Sequence, residues 1–265
     1  MLSQLIKPLI PYIPENNRLE LIWKLASIEF RKRYYDNALG IVWALLNPLF
    51  RLAVYYVAFT YIMGVEIENY VLYLFSGLLF WMFYSECTKK SLSVLRSKRY
   101  LIENIQFNKL DLYLASAIGV FFGFVFNIGA YFLISFLSGI AAYTTLIYLP
   151  LLLFNFFLMT LGTGILLSTI HIYLRDIEHL WDMMLLAGFW SAPIFFRAED
   201  LMEKAPILIY LHPASGIIIN FREVALYGNQ PDFFLFFYNF VYALILLGIS
   251  VFLFKRYSHK AAEKL

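Results

Sequence analysis

The chain has 265 residues, of which 62% are hydrophobic, 15% are charged and 20% are aromatic. A soluble domain of this size could not bury so much apolar side-chain surface. The composition therefore excludes a soluble protein and predicts an integral membrane protein. Cys87 is the only cysteine, which excludes an internal disulfide.

The first 37 residues are predicted to lie in the cytoplasm without a cleavable signal, because Pro8, Pro11 and Pro14 interrupt their short apolar runs. Residues 18–35 carry apolar side chains at helical spacing and end in a basic cluster. This pattern predicts an amphipathic helix that lies in the membrane interface, and an ordinary soluble helix is the alternative.

Six apolar segments follow, and each is predicted to be a helix that crosses the membrane. A hydrocarbon core about 30 Å thick needs about 20 helical residues. The predicted spans cover residues 38–63, 70–95, 112–137, 146–173, 180–196 and 234–254, so the transmembrane domain is 38–254 and a basic tail follows at 255–265.

The segment between the fifth and sixth spans is too polar to cross the membrane, yet it contains the apolar stretch PILIYLHPASGIIINF. Pro206 and Pro213 each stand where a short helix could begin. We predict two short outer helices over about 205–221, packed at the membrane surface or dipping into it.

The distribution of basic residues predicts the orientation. A cytoplasmic N-terminus puts most of the 21 lysine and arginine residues on the cytoplasmic side and leaves only Arg197, Lys204 and Arg222 outside. Basic residues are enriched in cytoplasmic loops, so both termini are predicted to be cytoplasmic.

Two charged residues are predicted to lie within the membrane. Arg51 follows Pro48 in the first span, and Glu86 lies in the second span. An unpaired charge at this depth is costly, so we predict an Arg51–Glu86 pair between the two spans. The alternative is that each side chain faces a water-filled path separately.

Motifs of enzymes and channels are not found. The chain has no GxxxxGK[ST] sequence for nucleotide binding and no HExxH spacing for a metal. A membrane enzyme acting on glycolipids would need clustered polar groups, and an ion channel would need charged or carbonyl-rich rings. We therefore predict no catalytic residue, no metal site and no cofactor bound by this chain.

Three segments occur in the order ALGIVWALLNPLF at 38–50, YLRDIEHLWDMMLLAGFWSAPIFF at 173–196 and YLHPASGIIINFREVALYG at 210–228. They resemble the type-2 ABC permeases that export polysaccharides or polyol phosphates, and within that family the O-antigen and capsule export permeases. The chain departs from the family pattern at His212-Pro213, where many relatives have Asn-Pro, and at Ala192-Pro193, where Ser-Pro is common.

The resemblance implies an all-helical permease of the bacterial inner membrane that works as two copies of this chain with two copies of a cytoplasmic ATPase. ATP and magnesium would bind the ATPase, the substrate would be a lipid-linked polysaccharide, and the partners would include membrane lipids but no nucleic acid. An exporter of a lipid, a drug or another non-polysaccharide substrate is the alternative.

The resemblance also implies roles for particular positions. The helix at 18–35 would dock the ATPase subunit. Further ATPase contacts would be made by Tyr100, Leu101, Ile102, Glu103, Arg175 and Asp176. The outer gate would include His212, Pro213, Phe221 and Arg222.

The aromatic excess is predicted to serve a substrate path. Sugar rings have apolar C–H faces that stack weakly on aromatic rings, and weak sites let a polymer slide. The candidates are Trp43, Phe50, Tyr55, Trp81, Trp181, Phe189 and Trp190. The alternative for any one of them is core packing or interface anchoring. A lipid phosphate would suit Arg31, Lys32 and Arg33, whose alternative role is to anchor the topology.

Overall fold

A computed structural model describes residues 18–34, 40–104, 108–140 and 144–258. Every regular element within these ranges is a helix, which confirms the predicted all-α class. Some predicted features lie outside the described residues. They are the start of the N-terminal segment at 1–17, the first residues of span one at 38–39 and most of the basic tail at 259–265.

Eleven α-helices follow one another in these ranges. They are α1 (Arg18–Tyr34), α2 (Val42–Tyr56), α3 (Tyr70–Ser97), α4 (Arg99–Asn104), α5 (Leu110–Leu137), α6 (Leu149–His171), α7 (Ile177–Ser191), α8 (Ala198–Lys204), α9 (Ile207–Leu211), α10 (Ser215–Arg222) and α11 (Phe233–Tyr257). Short π-helical turns extend α2 over Val57–Ile62 and α10 over Glu223–Tyr227, and a 3-10 turn at Thr145–Tyr148 precedes α6.

Five helical stretches are long and apolar enough to cross a membrane. They are Val42–Ile62, Tyr70–Ser97, Leu110–Leu137, Thr145–His171 and Phe233–Tyr257, which correspond to predicted spans one to four and six. The predicted fifth span contains α7, whose 15 residues rise only about 22 Å. Six full-length spans are therefore not confirmed.

The short length of α7 has a cause in the sequence. Ala192 has extended backbone angles, with φ −75° and ψ 150°. A residue that precedes proline is driven out of the helical region by the proline ring, and Pro193 follows Ala192. Because of this proline, α7 ends at Ser191.

Helices α6 and α11 lie side by side and run in the same direction. At one end, Asn155 Nδ2 donates to the carbonyl of Phe236 over 3.4 Å. At the other end, the hydroxyl of Tyr173 donates to the carbonyl of Tyr257 over 3.1 Å. The chain must therefore cross back between these two parallel helices.

The return crossing follows α7 and residues 192–196, which run antiparallel to α3. Near the start of α7, Trp181 Nε1 donates to Thr88 Oγ1 over 3.0 Å. Beyond its end, the carbonyl of Phe195 accepts a 3.1 Å hydrogen bond from the hydroxyl of Tyr70, at the start of α3. The short helix and the turn that follows it together thus traverse the bundle.

Helix α3 is the centre of the bundle and contacts α2, α5, α6, α7 and α10. Aromatic rings fill the space around its middle. The ring of Phe80 has centroid distances of 5.2 Å to Phe124, 5.1 Å to Phe156 and 4.8 Å to Phe221. Part of the aromatic excess therefore packs the core.

Helix α1 packs along α5 and is attached to the bundle at both of its ends. Arg18 pairs with Asp111 at the start of α5, with 2.6 Å between Nη2 and Oδ1. Near the other end, Glu29 pairs with Lys98, which follows α3. Between them, Gly119 of α5 allows a close approach, since a Cβ there would lie 2.9 Å from the Cβ of Glu29.

Candidate functional site

Helices α2 and α7 form an exposed face on one side of the bundle. Phe50 on α2 is 72% exposed and Trp190 on α7 is 51% exposed. Tyr55 joins the two helices through Phe189, with ring centroids 5.6 Å apart. We call this surface, which α2 and α7 share, the α2–α7 face.

The seven residues of the predicted aromatic path differ in their exposure. Three of its residues are exposed: Trp43, Phe50 and Trp190. Three others are half-buried: Tyr55, Trp181 and Phe189. The seventh, Trp81, is buried and stacks on His212 with ring centroids 5.3 Å apart. This corrects the prediction for Trp81, because its place on the central helix makes it a core residue.

The predicted Arg51–Glu86 pair is wrong. The Glu86 carboxylate is paired with Arg33 at 2.5 Å and with Lys90 at 3.3 Å. Arg51 Nε instead donates to Asn47 Oδ1, one turn earlier on α2, over 3.0 Å. The physical reason is the orientation of α2, which directs Arg51 outward and away from α3.

Arg51 is therefore an exposed cation within a helix long enough to span the membrane. A charged side chain at the centre of a spanning helix costs about 2.5–3.5 kcal/mol on insertion scales. Such residues face protein or a water-filled path, where the cost is lower. The α2–α7 face is thus better suited to protein or water than to lipid.

The basic cluster at the end of α1 includes Arg33, which lies beside the start of α2. Arg33 reaches Glu86 on α3, which lies 53 positions away in the chain. Arg31 is exposed, and Lys32 and Arg33 are half-buried. Arg33 therefore lies at the junction of α1, α2 and α3.

The residues predicted for the outer gate are mostly buried. His212, Phe221 and Arg222 are buried, and Pro213 is half-buried. Phe221 packs in the core against Phe80. The structure thus places Phe221 and Arg222 inside the bundle rather than on an open path, and their part in an outer gate stays a prediction.

Arg222 holds three segments together. Its Nη1 donates to the carbonyl of Pro193 over 2.5 Å and its Nη2 to the carbonyl of Tyr73 over 2.9 Å. Its Nε donates to Ser76 Oγ over 3.0 Å. These carbonyls include one freed by the break after α7, so the guanidinium satisfies backbone groups that water does not reach.

The residues predicted to contact an ATPase lie at the end of the bundle where α3, α6 and α11 finish. Tyr100 and Ile102 are half-buried, while Glu103, Arg175 and Asp176 are exposed. Leu101 is only 3% exposed and packs with Leu95 and Leu112. Its burial corrects the prediction that Leu101 is a contact residue.

A small cleft between α3 and α6 at this end was not predicted. It is lined by Arg96, His171 and Arg175. Neither arginine has a carboxylate partner among the described residues, whereas His171 Nε2, which makes no hydrogen bond there, lies 3.8 Å from the carboxylate of Glu178. Spacing could not have revealed the cleft, because Arg96 and Arg175 belong to different helices.

The described residues contain no cluster of three histidine, cysteine, aspartate or glutamate side chains that could hold a metal ion. Several charged side chains instead form ion pairs, such as Lys89 with Asp182 at 2.6 Å. The site therefore offers exposed aromatic rings and charged side chains for contacts with other molecules.

No family model matches the chain. Curated proteins do match it over most of its length. An O-antigen export system permease protein RfbA of Klebsiella pneumoniae is 23% identical over 235 residues, which cover 88% of this chain and 91% of that protein. A second protein with this name, from the same organism, is 24% identical over 244 residues.

A third relative has the same name in Myxococcus xanthus. It is 22% identical over 214 residues, which cover 80% of this chain and 82% of that protein. These matches confirm the resemblance to type-2 ABC permeases of the O-antigen export kind. With the five helices able to span a membrane, they support a multi-pass membrane protein.

Proposed function

We propose that this relative of O-antigen export permeases is the membrane subunit of an ATP-driven exporter. It moves a lipid-linked, O-antigen-like polysaccharide from the cytoplasm across the bacterial inner membrane. The single observation that carries the proposal is the similarity to O-antigen export permeases over 80–88% of the chain.

The subunit works as a pair, and the α2–α7 face is where two copies meet. This face carries exposed aromatic rings and Arg51, whose charge needs protein or water in the membrane. Two such faces opposed across an axis would enclose Phe50 and Trp190 from both copies. The enclosed space is the path of the sugar chain, which slides over these rings.

A separate ATPase supplies the energy and binds ATP and magnesium. Its docking surface consists of α4, the turn at 174–176 and the exposed side of α1. The exposed Glu103, Arg175 and Asp176 give this surface charged groups. The cleft with Arg96, His171 and Arg175 adds donors that suit a carboxylate of the ATPase.

The short outer helices α9 and α10 close the far end of the path, and Arg222 fixes them to the bundle. Its hydrogen bonds to the carbonyls of Pro193 and Tyr73 connect α10 to the turn after α7 and to α3. Phe221 and Arg222 thus support the gate from inside.

The proposal is tested by deleting the gene and measuring polysaccharide at the cell surface. Surface polysaccharide should disappear and lipid-linked polysaccharide should accumulate in the cytoplasm, and the intact gene should restore export. The double substitution Phe50→Leu with Trp190→Leu should fail to restore it, although an ATPase still co-purifies.

The matched control is Phe234→Leu with Phe237→Leu on α11, since these rings are 70% and 58% exposed but lie away from the α2–α7 face. This control should export normally. Normal surface polysaccharide in the deletion strain, together with an ATPase that co-purifies with the chain from the complemented strain, would contradict the polysaccharide substrate and favour a lipid or drug exporter. Loss of the ATPase from the purified chain would contradict the exporter itself.

A further inference from the structure

A pocket of about 360 Å³ lies at the end of the bundle where α2 finishes and α3 begins. None of the described residues that line it belongs to α7, so the pocket is separate from the α2–α7 face. A cavity of about 150 Å³ accommodates a benzene ring, so this pocket has room for one or two sugar rings. Arg33 and its basic cluster lie beside the other end of α2, so the pocket is predicted to face away from the cytoplasm.

Thr60 gives the pocket a hydroxyl group that the helix does not use. The threonines of α6 show the ordinary arrangement, since Thr160, Thr163 and Thr169 each donate to the carbonyl four residues earlier, over 2.8, 2.9 and 2.7 Å. Thr60 lies instead in the π-helical turn Val57–Ile62, and its buried Oγ1 has no hydrogen-bond partner among the described residues. Single π-helical turns occur frequently at functional sites, and this one leaves a hydroxyl free to bond a ligand.

Asn69 adds a carboxamide on the opposite side of the chain connection. Its backbone is in the left-handed region, with φ 53° and ψ 40°, and it precedes α3 without a side-chain hydrogen bond to that helix. Asparagine adopts this conformation more readily than most residues. The side chain is exposed and lines the pocket, where its carboxamide can both donate to and accept from a hydroxyl group.

The described walls of the pocket are uncharged. Val65 and Ile67 are half-buried and line it, whereas Glu66 and Glu68 alternate with them and are exposed. An anionic ligand would lose water here without gaining a cationic partner, and it would lie close to two carboxylates. The pocket therefore favours a neutral ligand over a phosphate or a uronic acid.

Tyr56 and Tyr70 supply ring surfaces beside these polar groups. Their ring centroids are 6.3 Å apart, and the Tyr70 hydroxyl is held by its 3.1 Å hydrogen bond to the carbonyl of Phe195. A hydroxylated ring suits such a wall, because its C–H face packs on an aromatic ring while its hydroxyl groups reach the polar side chains.

We propose that this pocket binds one or two neutral sugar residues of the polysaccharide after they have crossed the membrane. The source of the sugar rests on the proposed function. Sugar hydroxyls bond Thr60 Oγ1 and the carboxamide of Asn69, and a C–H face packs on Tyr56. A sugar chain held at this end is less free to slide back between two cycles of the ATPase.

The test measures sugar binding to the purified full chain with its ATPase in lipid nanodiscs, by saturation-transfer NMR. The probe is the surface polysaccharide of the strain, cut by mild acid into fragments of a few sugars. The matched probe is a sample of the same fragments in which primary hydroxyls have been oxidised to carboxylates. The untreated fragments should bind at least about fivefold more tightly than the oxidised ones, as expected for the loss of one hydrogen bond.

Two substitutions test the pocket itself. Thr60→Val removes the free hydroxyl and keeps the shape of the side chain, and Asn69→Gly removes the carboxamide and keeps the left-handed backbone. Each should weaken binding about fivefold without lowering the Tm, since the fold loses no hydrogen bond. The matched control is Thr160→Val on α6, which does not line the pocket and should bind the fragments as the unmodified chain does.

Weaker binding by either pocket variant, with the control unchanged, supports the site. The inference is overturned if the untreated fragments do not bind, if the oxidised fragments bind as tightly, or if the pocket variants and the control bind alike. Normal surface polysaccharide in the deletion strain would contradict the proposed function instead, whatever the binding result.

Discussion

The guanidinium carbon of Arg222 lies 3.4 Å above the centre of the Tyr73 ring, although the two residues are 149 positions apart. The same guanidinium satisfies the carbonyl of Pro193, where the chain has just left α7. A positive charge near the C-terminal end of a helix is favourable, because the free carbonyls there carry partial negative charge. One buried side chain therefore stabilises the break that makes α7 short.

Replacement of Arg222 should destabilise the bundle more than replacement of an exposed arginine. Arg222→Met would leave the buried carbonyl of Pro193 without its donor, at about 1–3 kcal/mol, whereas the carbonyl of Tyr73 would keep the hydroxyl of Ser76. We expect the Tm in detergent to fall by about 5 °C or more. Arg222→Lys should recover part of the loss, since it keeps the charge but not the fork of donors.

The control for this experiment is Arg197→Met. Arg197 is exposed and donates to the carbonyl of Glu66 over 2.9 Å, so water can replace it. Its replacement should shift the Tm by about 1 °C at most. Equal Tm values for Arg222→Met and Arg197→Met would contradict the role assigned to Arg222.

Gly77 on α3 should not tolerate a methyl group. A Cβ at this position would lie 3.0 Å from Nη2 of Arg222 and 3.1 Å from Cα of Ile194. Gly77→Ala should therefore lower the Tm, although alanine is the better helix former by about 1 kcal/mol. Gly129→Ala on α5, where no atom lies within 4 Å of the new Cβ, should leave the Tm unchanged or raise it. The opposite order of the two Tm values would rule out close packing at Gly77.

The attachment of α1 should weaken in acid. Burial raises the pKa of the Glu29 carboxyl, but Lys98, with Lys90 and Lys32, outweighs burial and holds this pKa below its ordinary value of 4.5. A lowered pKa in the folded state stabilises α1 above pH 4.5, and this stabilisation is lost as the pH falls through the lowered value.

Hydrogen exchange of the α1 amides measures this effect. Protection should be high at neutral pH and should fall below about pH 4.5 in the unmodified chain. Glu29→Gln cannot titrate, so its protection should be lower at neutral pH and should change less between pH 7 and pH 4. An unchanged acid dependence in Glu29→Gln would assign the effect to other groups.

The sequence predicts the long helices well because their apolar runs are continuous. The predicted span at 70–95 is a helix over Tyr70–Ser97, and that at 112–137 is a helix over Leu110–Leu137. Pro193 also indicates where α7 ends. The sequence gives no comparable signal for the π-helical turns at Val57–Ile62 and Glu223–Tyr227, which contain neither glycine nor proline.

Side-chain partners are harder to predict, because the sequence places a charge at a depth but not on a face. Arg51 and Glu86 were matched by depth, yet Arg51 points outward and Glu86 meets Arg33 from α1. The sequence predicts that Arg222 is a polar residue near an outer helix, and only the packing of α10 against α3 shows that it is buried. These contacts depend on helix rotation, which periodicity alone does not determine across three helices.

Arg51 should matter for export and not for folding. Its side chain is exposed on the α2–α7 face and is bonded to Asn47 of its own helix. Arg51→Leu removes an insertion cost of about 2.5–3.5 kcal/mol, so the amount of chain in the membrane should stay the same or rise. If two α2–α7 faces enclose a hydrated path, the same substitution should make part of that path apolar and reduce surface polysaccharide several-fold. Arg51→Lys should retain most of the surface polysaccharide.

Membrane abundance and surface polysaccharide are measured by immunoblot in the deletion strain that carries each variant. Full export by Arg51→Leu would place the residue outside the path, and a loss of membrane abundance would show that the arginine is needed for folding instead.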